Sequence, residues 1–140
     1  MHYLDTSILA AYYCPEPRSA EVQLVLRDLQ GPTISPLVTV ELHSALAIKV
    51  RRGELSAAVA GQIASLFRLH VESRLYRIVP IGPREYGHAQ AWIGTFRSHL
   101  RTLDGLHLAT AFTNQLTLVT ADRALGESAA EFGVRYHAIR

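Results

Sequence analysis

The sequence predicts a single α/β domain over residues 1–140, with a mostly parallel central sheet of about four or five strands flanked by helices. Short apolar segments alternate with amphipathic helices along the whole chain, which is the pattern of βα units. Gly and Pro residues separate these segments. A chain of 140 residues has the usual length of one domain and buries roughly two thirds of its unfolded surface, so one core is expected.

The apolar period and the residues at each end predict the individual elements. The hydroxyls of Thr6 and Ser7 are expected to cap the first helix, and Ser56 is expected to cap the fourth. Gly31 and Gly53 end the helices that precede them. In chain order the predicted elements are a strand at 2–5, helices at 8–13 and 19–29, a strand at 33–35, helices at 37–52 and 56–73, a strand at 76–81, helices at 84–99 and 103–114, a strand at 116–120, a helix at 123–132 and a strand at 134–139.

Composition excludes several classes of protein. The chain is 49% hydrophobic and 19% charged, as in globular proteins, and no segment approaches the roughly 20 apolar residues of a membrane span. The start, MHYLDTS, has no basic leader before a long apolar stretch, so a cytoplasmic location is expected. Cys14 is the only cysteine, which excludes an intramolecular disulfide and favours an inert thiol.

The chain has only four aspartates, and three of them lie where an apolar segment gives way to polar or helix-starting residues. Asp5 closes the first predicted strand, Asp122 follows the fourth, and Asp104 begins a helix. A carboxylate beside an apolar segment is costly to desolvate unless it is solvated, hydrogen-bonded or neutralised by a cation. Ligand crevices of parallel sheets lie at the carboxyl ends of the strands, so Asp5 and Asp122 are expected at one edge.

Helical spacing adds Glu41 to this acidic set. Leu108 and Ala111, four and seven residues after Asp104, place that acid on the inward face of its helix, near the N-terminus. Apolar side chains also flank Glu41 on its own helix face, at Leu37, Val38, Ala45 and Ile48. Each acid alone has a structural explanation, such as a helix cap or an ion pair. Four together favour a hard divalent cation, Mg²⁺ or Mn²⁺, whereas zinc is disfavoured because the histidines lack a paired spacing and a single Cys builds no thiolate site.

Three segments resemble the PIN-domain proteins, and closely the VapC-type ribonuclease toxins of type II toxin–antitoxin modules. They are LDTSILAAYYCPEP, VTVELHSALAIKVRRGEL and LRTLDGLHLATAFTNQLTLVTADRAL. The resemblance runs nearly end to end and presents four acidic motif positions in the family's order. It implies a PIN-like fold in which Asp5, Glu41, Asp104 and Asp122 form the catalytic, metal-binding set. In relatives the acid that corresponds to Asp122 can act through water or a second metal, and Gly105 stands where relatives commonly have alanine.

The resemblance further implies an Mg²⁺-dependent endoribonuclease that acts as a toxin, forms a homodimer and is inhibited by a cognate VapB-like antitoxin. Thr6 and Ser7 are expected to hydrogen-bond the Asp5 carboxylate or bound water, and Thr120 is expected to orient Asp122, with helix capping and strand propensity as the alternatives. The formal charge is +2, carried by thirteen Arg against one Lys, which suits phosphate recognition as well as a genomic bias toward Arg. The candidate RNA contacts, for which a solvated helix face is an equal alternative, are Arg51, Arg52, Arg97 and Arg101.

The sequence leaves two other functional classes as alternatives. A receiver-type phosphotransfer domain also gathers aspartates at strand ends, but LDTS lacks a neighbouring second acid, and Lys49 lies inside a predicted helix. A catalytically silent interaction protein is the stronger alternative. His107 is expected to be a packed or solvent-facing helix residue rather than a general base. Core packing or a dimer contact is favoured over base stacking for the aromatic residues Tyr12, Tyr13, Trp92 and Phe96.

Overall fold

The computed structural model describes all 140 residues. All five predicted strands and all seven predicted helices are present. The strands are β1 (His2–Leu4), β2 (Pro32–Ile34), β3 (Arg77–Ile78), β4 (Thr117–Thr120) and β5 (Tyr136–Ala138). The helices are α1 (Thr6–Tyr13), α2 (Ser19–Asp28), α3 (Pro36–Arg51), α4 (Ala57–Glu72), α5 (Pro83–Ile93), α6 (Thr102–Thr113) and α7 (Arg123–Glu131).

The five strands form one parallel sheet in the order β3-β2-β1-β4-β5, which confirms the predicted α/β class. Tyr3 pairs with Thr33 of β2 on one side and with Leu118 of β4 on the other. The chain leaves β1 toward β2 and β3 and returns on the other side of β1 through β4 and β5. The order therefore reverses between β1 and β4, and ligands of open parallel sheets bind outside the carboxyl ends of the strands at such a point.

Two predicted boundaries are wrong. The helix predicted at 84–99 ends at Ile93, because Gly94 is its C-cap and Phe96 adopts the left-handed backbone conformation with φ of 56°. Apolar residues continue in helical register through this loop, which is why the period alone extended the helix. The strand predicted at 76–81 has only two residues in the ladder, and Pro80 then removes a backbone donor.

The core lies around β1 and β4, whose central side chains are fully buried. Tyr12, Tyr13 and Trp92 pack against this core, as expected. Phe96 is 91% exposed, because the left-handed turn carries it out of the helix. It therefore lies outside the core, and of the two expected roles the dimer contact is left. Burial raises the pKa of the Cys14 thiol, which favours the unreactive protonated form. None of the helices is long and apolar enough to cross a membrane.

Gly105 permits close packing of α6 on α5, and this leads to a stability prediction. A Cβ at Gly105 would lie 3.2 Å from Ile93 Cδ1 and 3.3 Å from Ala89 Cβ, whereas nothing lies within 4 Å of a Cβ at Gly61. Gly61→Ala is therefore expected to stabilise the protein by about 0.5–1 kcal/mol through helix propensity. Gly105→Ala is expected to leave the free energy of unfolding unchanged, because the tight contacts of its Cβ offset the gain in helix propensity. Urea unfolding midpoints at unchanged slope compare the two, and an equal gain at both sites would contradict this account of α5–α6 packing.

Candidate metal centre

Asp5 lies at the carboxyl end of β1 and caps α1. Its Oδ1 accepts hydrogen bonds from the Ile8 backbone N–H at 3.2 Å and from the Ser7 hydroxyl at 2.6 Å. The predicted capping by Thr6 and Ser7 is wrong, because Asp5 is the last residue before the helix and its carboxylate faces the first free N–H groups. Asp5 is 2% exposed, and burial raises its pKa although the hydrogen bonds from Ser7 and Thr120 oppose the shift.

Thr120, the last residue of β4, connects Asp5 to Asp122. Its hydroxyl donates to Asp5 Oδ2 at 2.6 Å and accepts a hydrogen bond from the Asp122 backbone N–H at 2.9 Å. Asp122 is exposed and caps α7, with Oδ1 accepting from the N–H groups of Ala124 and Leu125. Both acids therefore lie at the carboxyl edge of the sheet, and Oδ2 of Asp122 is free of these capping bonds.

Asp104 is the acid whose negative charge is least stabilised by hydrogen bonds from the protein. It lies in the first turn of α6, half-buried, and no hydrogen bond contributes to its electrostatic environment. Partial burial raises its pKa, and the neighbouring charges of Asp122 and Glu41 raise it further. His107 and Arg101 oppose this shift without reversing it. A carboxylate in such surroundings favours a bound cation at neutral pH.

Glu41 reaches the same site from α3. Its Oε1 accepts a hydrogen bond from the Thr6 hydroxyl at 2.9 Å and a short one from His107 Nε2. Burial by itself would raise the pKa of Glu41, but the hydrogen bond and electrostatic attraction of His107, with the bond from Thr6, hold it below its ordinary value. Thr6 therefore donates to Glu41 and not to Asp5 as expected, whereas Ser7 has its expected contact with Asp5. Thr120 contacts Asp5 as well as the backbone of Asp122. The four acids come from four parts of the fold, and the charges of Glu41 and Asp122 act on Asp104.

Residues 2–130 match the PIN domain family. The chain belongs to the PIN-domain family. The matched region includes all four acids and both strands of the central crevice. No curated protein is significantly similar to the chain.

Several solved structures share this fold at low sequence identity. FitAcB from Neisseria gonorrhoeae is 23% identical, with a TM-score of 0.70 over 97% of this chain and 96% of that one. The VapC20 toxin of Mycobacterium tuberculosis, which cleaves the sarcin–ricin loop, is 17% identical, with a TM-score of 0.71 over 91% and 95%. VapBC2 from Rickettsia felis, bound to a promoter DNA fragment, is 18% identical, with a TM-score of 0.68 over 100% of both chains.

This PIN domain offers free carboxylate oxygens rather than a closed metal cage. No three His, Cys, Asp or Glu side chains form a ready cluster around one point. Asp104 has both oxygens available, and the protein's hydrogen bonds to Glu41 and Asp122 use one oxygen of each. Mg²⁺ keeps several waters and is commonly held by only one or two carboxylates. The donor set therefore fits a partly hydrated hard cation.

His107 is the main contact that sequence reasoning missed. It is 3% exposed, so the expected packing of this residue is present, but its ring also contacts Glu41 directly. His107 follows Asp104 by three residues and therefore shares its inward helix face. That spacing was the available signal. It did not identify Glu41 as the partner, because the two residues are 66 positions apart.

The four arginines predicted to contact RNA lie at different distances from the acids. Arg101 immediately precedes α6, and its attraction lowers the pKa of Asp104 against the larger opposing effects. Arg97 lies in the loop between α5 and α6. Arg51 and Arg52 lie at the far end of α3, roughly 15 Å along the helix axis from the acid that this helix carries.

A cavity of about 350 Å³ adjoins Asp122 and includes basic side chains that the sequence did not single out. Its lining includes Arg18, Arg123 and the ring of Tyr136. Arg18 donates to the backbone carbonyl of Ala121, which holds its guanidinium beside the end of β4. These residues come from separate elements, and only the folded chain brings them together.

Proposed function

We propose that this PIN domain is an Mg²⁺-dependent endoribonuclease, with Mn²⁺ as an alternative metal, and that it acts as the toxin of a VapBC-type module. The observation that carries the proposal is Asp104, a half-buried carboxylate with no hydrogen-bond donor, close to two further acids at the crevice of the sheet. A site built this way favours a divalent cation over an empty state. Membership of the PIN-domain family supports the same chemistry.

Each residue of the site has a distinct role in this proposal. A bound divalent cation supplies Lewis-acid stabilisation for phosphodiester hydrolysis. Asp104 provides a carboxylate with both oxygens free of hydrogen bonds, and Asp5, held by Ser7 and Thr120, provides a buried one. Glu41 and Asp122 complete the acidic set from its two sides. No side chain needs to act as a covalent nucleophile.

RNA is the proposed substrate because a related structure belongs to an RNA-cleaving toxin and because basic groups flank the acids. VapC20 cleaves the sarcin–ricin loop, which is RNA. In this chain Arg101 lies beside Asp104, and Arg18 lies beside the cavity at Asp122. Guanidinium groups at these positions suit the phosphates on either side of the scissile bond.

A VapB-like antitoxin is the proposed protein partner. A toxin–antitoxin complex from Klebsiella pneumoniae has this fold. A segment of such a partner would inhibit the enzyme by covering the acidic crevice. A homodimer is also proposed, and the exposed apolar side chains on α3 and α4 support it. They are Val40, Ile48, Val59, Leu66 and Leu69.

RNA cleavage with and without divalent metal tests the nuclease proposal. The purified protein is expected to cut single-stranded RNA in Mg²⁺ or Mn²⁺ and to lose all activity in excess EDTA, because the acids alone cannot neutralise a phosphate. Mapping of new 5′ ends would identify the cleavage sequence. A folded protein that binds RNA without cutting it in either metal would instead support the catalytically silent interaction protein.

Induced expression tests the toxin role separately. Growth is expected to stop when the chain is expressed alone and to recover when the product of the adjacent gene is co-expressed. Light scattering of the purified chain is expected to give twice its 15.5 kDa mass. Unaffected growth with soluble, metal-loaded protein would refute the toxin role while leaving nuclease activity open to the cleavage assay.

A further inference from the structure

A chain of buried polar groups leads from the start of α3 to the acidic site. The Ser35 hydroxyl lies 2.7 Å from the Tyr3 hydroxyl, which lies 2.8 Å from His107 Nδ1. His107 Nε2 then contacts Oε1 of Glu41. Ser35 and Tyr3 are fully buried, and His107 is 3% exposed. Polar groups so deep in a core are costly unless each is hydrogen-bonded, and every one of them is.

Two arrangements of donors satisfy the whole chain, and in both the Nε2–H of His107 donates to Glu41. With a neutral His107, Ser35 donates to the Tyr3 oxygen and Tyr3 donates to Nδ1. With a protonated His107, the Nδ1–H donates to Tyr3 and Tyr3 donates to Ser35. In both arrangements the Tyr3 hydroxyl keeps its proton, as an ordinary tyrosine does at neutral pH.

The Ser35 hydroxyl belongs to this hydrogen-bonded chain and does not cap α3. It is the N-cap residue of α3, yet its side chain makes no capping hydrogen bond. A capping serine typically stabilises a helix by about 1 kcal/mol. Its hydroxyl bonds to Tyr3 instead. Local helix stability therefore does not explain the placement of this hydroxyl, and the link to the site does.

The chain connects three of the elements that carry acids. Tyr3 lies two residues before Asp5 on β1, and His107 lies three residues after Asp104 on α6. Ser35 immediately precedes α3, the helix that carries Glu41. A shift of any one element would break a hydrogen bond in the core, so the chain opposes relative movement of the acids.

The same contacts select one oxygen of Glu41. Oε1 accepts from both Thr6 and His107, which uses its two lone pairs. Oε2 accepts no hydrogen bond from the protein. We propose that Ser35, Tyr3 and His107 are positioning residues that fix Glu41 with Oε2 as its single metal-facing oxygen. This inference rests on the proposed metal-dependent function of the site.

Tyr3→Phe tests the inference by deleting one hydroxyl from the middle of the chain. The matched control is Tyr76→Phe, because Tyr76 is 6% exposed and its hydroxyl bonds to that of Tyr13 at 2.7 Å, away from the acids. Mn²⁺ affinity is measured on the metal-free proteins without RNA, from the electron paramagnetic resonance signal of the free ion. The Kd for Mn²⁺ is expected to rise about tenfold in Tyr3→Phe and to stay unchanged in Tyr76→Phe.

Substitutions of His107 separate positioning from packing. His107→Leu fills the space without a donor and is expected to weaken Mn²⁺ binding at least as much as Tyr3→Phe. His107→Gln keeps an N–H donor and is expected to recover part of the affinity. In RNA cleavage Tyr3→Phe is expected to lower kcat with little change in KM, because Ser35, Tyr3 and His107 are buried in the core. If circular dichroism shows that Tyr3→Phe does not fold, Ser35→Ala interrupts the chain one residue away and replaces it.

Wild-type Mn²⁺ affinity in both Tyr3→Phe and His107→Leu would overturn the inference, and so would an equal loss in Tyr76→Phe. Absence of Mn²⁺ binding by the folded wild type would overturn it as well. RNA cleavage by the same samples decides the proposed function independently. A wild type that binds Mn²⁺ but cuts no RNA refutes the nuclease, whereas the positioning role still depends only on the affinities of the variants.

Discussion

Asp104→Asn is expected to reduce RNA cleavage at least about 100-fold. Even the mutation of a residue that only hydrogen-bonds a metal ligand lowers metal affinity or activity about 10–100-fold. The substitution keeps the shape of the side chain and removes its charge. Asp104 has both oxygens available and no donor from the protein, so the proposed cation loses the ligand that offers it two free oxygens. The measurement is the initial rate of cleavage of one RNA in saturating Mg²⁺.

The metal-free Asp104→Asn protein is expected to be at least as stable as the wild type at pH 7. Burial and the charges of Asp122 and Glu41 raise the pKa of Asp104, so its ionised form costs folding free energy. Protonation of the wild-type acid relieves that cost as the pH falls. The advantage of the Asn variant should therefore be present at pH 7 and vanish near pH 4, the ordinary range of an aspartate.

Asp28→Asn is the matched control, because Asp28 is the one aspartate outside the site. Its side chain is 80% exposed and pairs only with Arg27, at 3.6 Å. Activity and stability should both stay at wild-type values. Full activity in Asp104→Asn would remove Asp104 from the catalytic set. A clear loss of metal-free stability would mean that the acid has a structural role instead.

Phe67→Ala is expected to cost about 3–5 kcal/mol of stability, a large part of the roughly 5–15 kcal/mol available to a domain. Phe67 is the only buried residue of α4 and is 1% exposed. Its ring lies 5.6 Å from that of Tyr13 and 6.0 Å from that of Tyr76, measured between centroids. Because Phe67 is the only buried side chain of α4, the substitution should destabilise this helix before the other elements.

Urea unfolding and amide hydrogen exchange along α4 measure this effect. Leu24→Ala is the control, since it removes an apolar side chain that is 57% exposed and should change stability by no more than about 0.5 kcal/mol. Exchange in α4 should accelerate more than in β1 or β4. A cost below about 1 kcal/mol for Phe67→Ala would show that α4 is held through its exposed face, as in a dimer.

The α/β class, the number of elements and the identity of the acids were predictable from sequence. Hydrophobic period is a local property, and each strand and helix carries enough of it to be recognised. Element ends were less predictable. The loop after Ile93 continues the apolar period through Phe96, and only the left-handed turn of the backbone shows where α5 stops.

The partners of the acids were decided by tertiary structure. Sequence placed Asp5 and Asp122 at one edge of the sheet and Glu41 and Asp104 on the inward faces of their helices, because strand ends and helix stripes are local features. It could not assign Thr6 to Glu41 across 35 residues, or His107 to Glu41 across 66. Those contacts depend on the packing of whole helices on the sheet. The sequence by itself determined which residues carry charge to the crevice, and the fold decided which carboxylate oxygens stay free of hydrogen bonds.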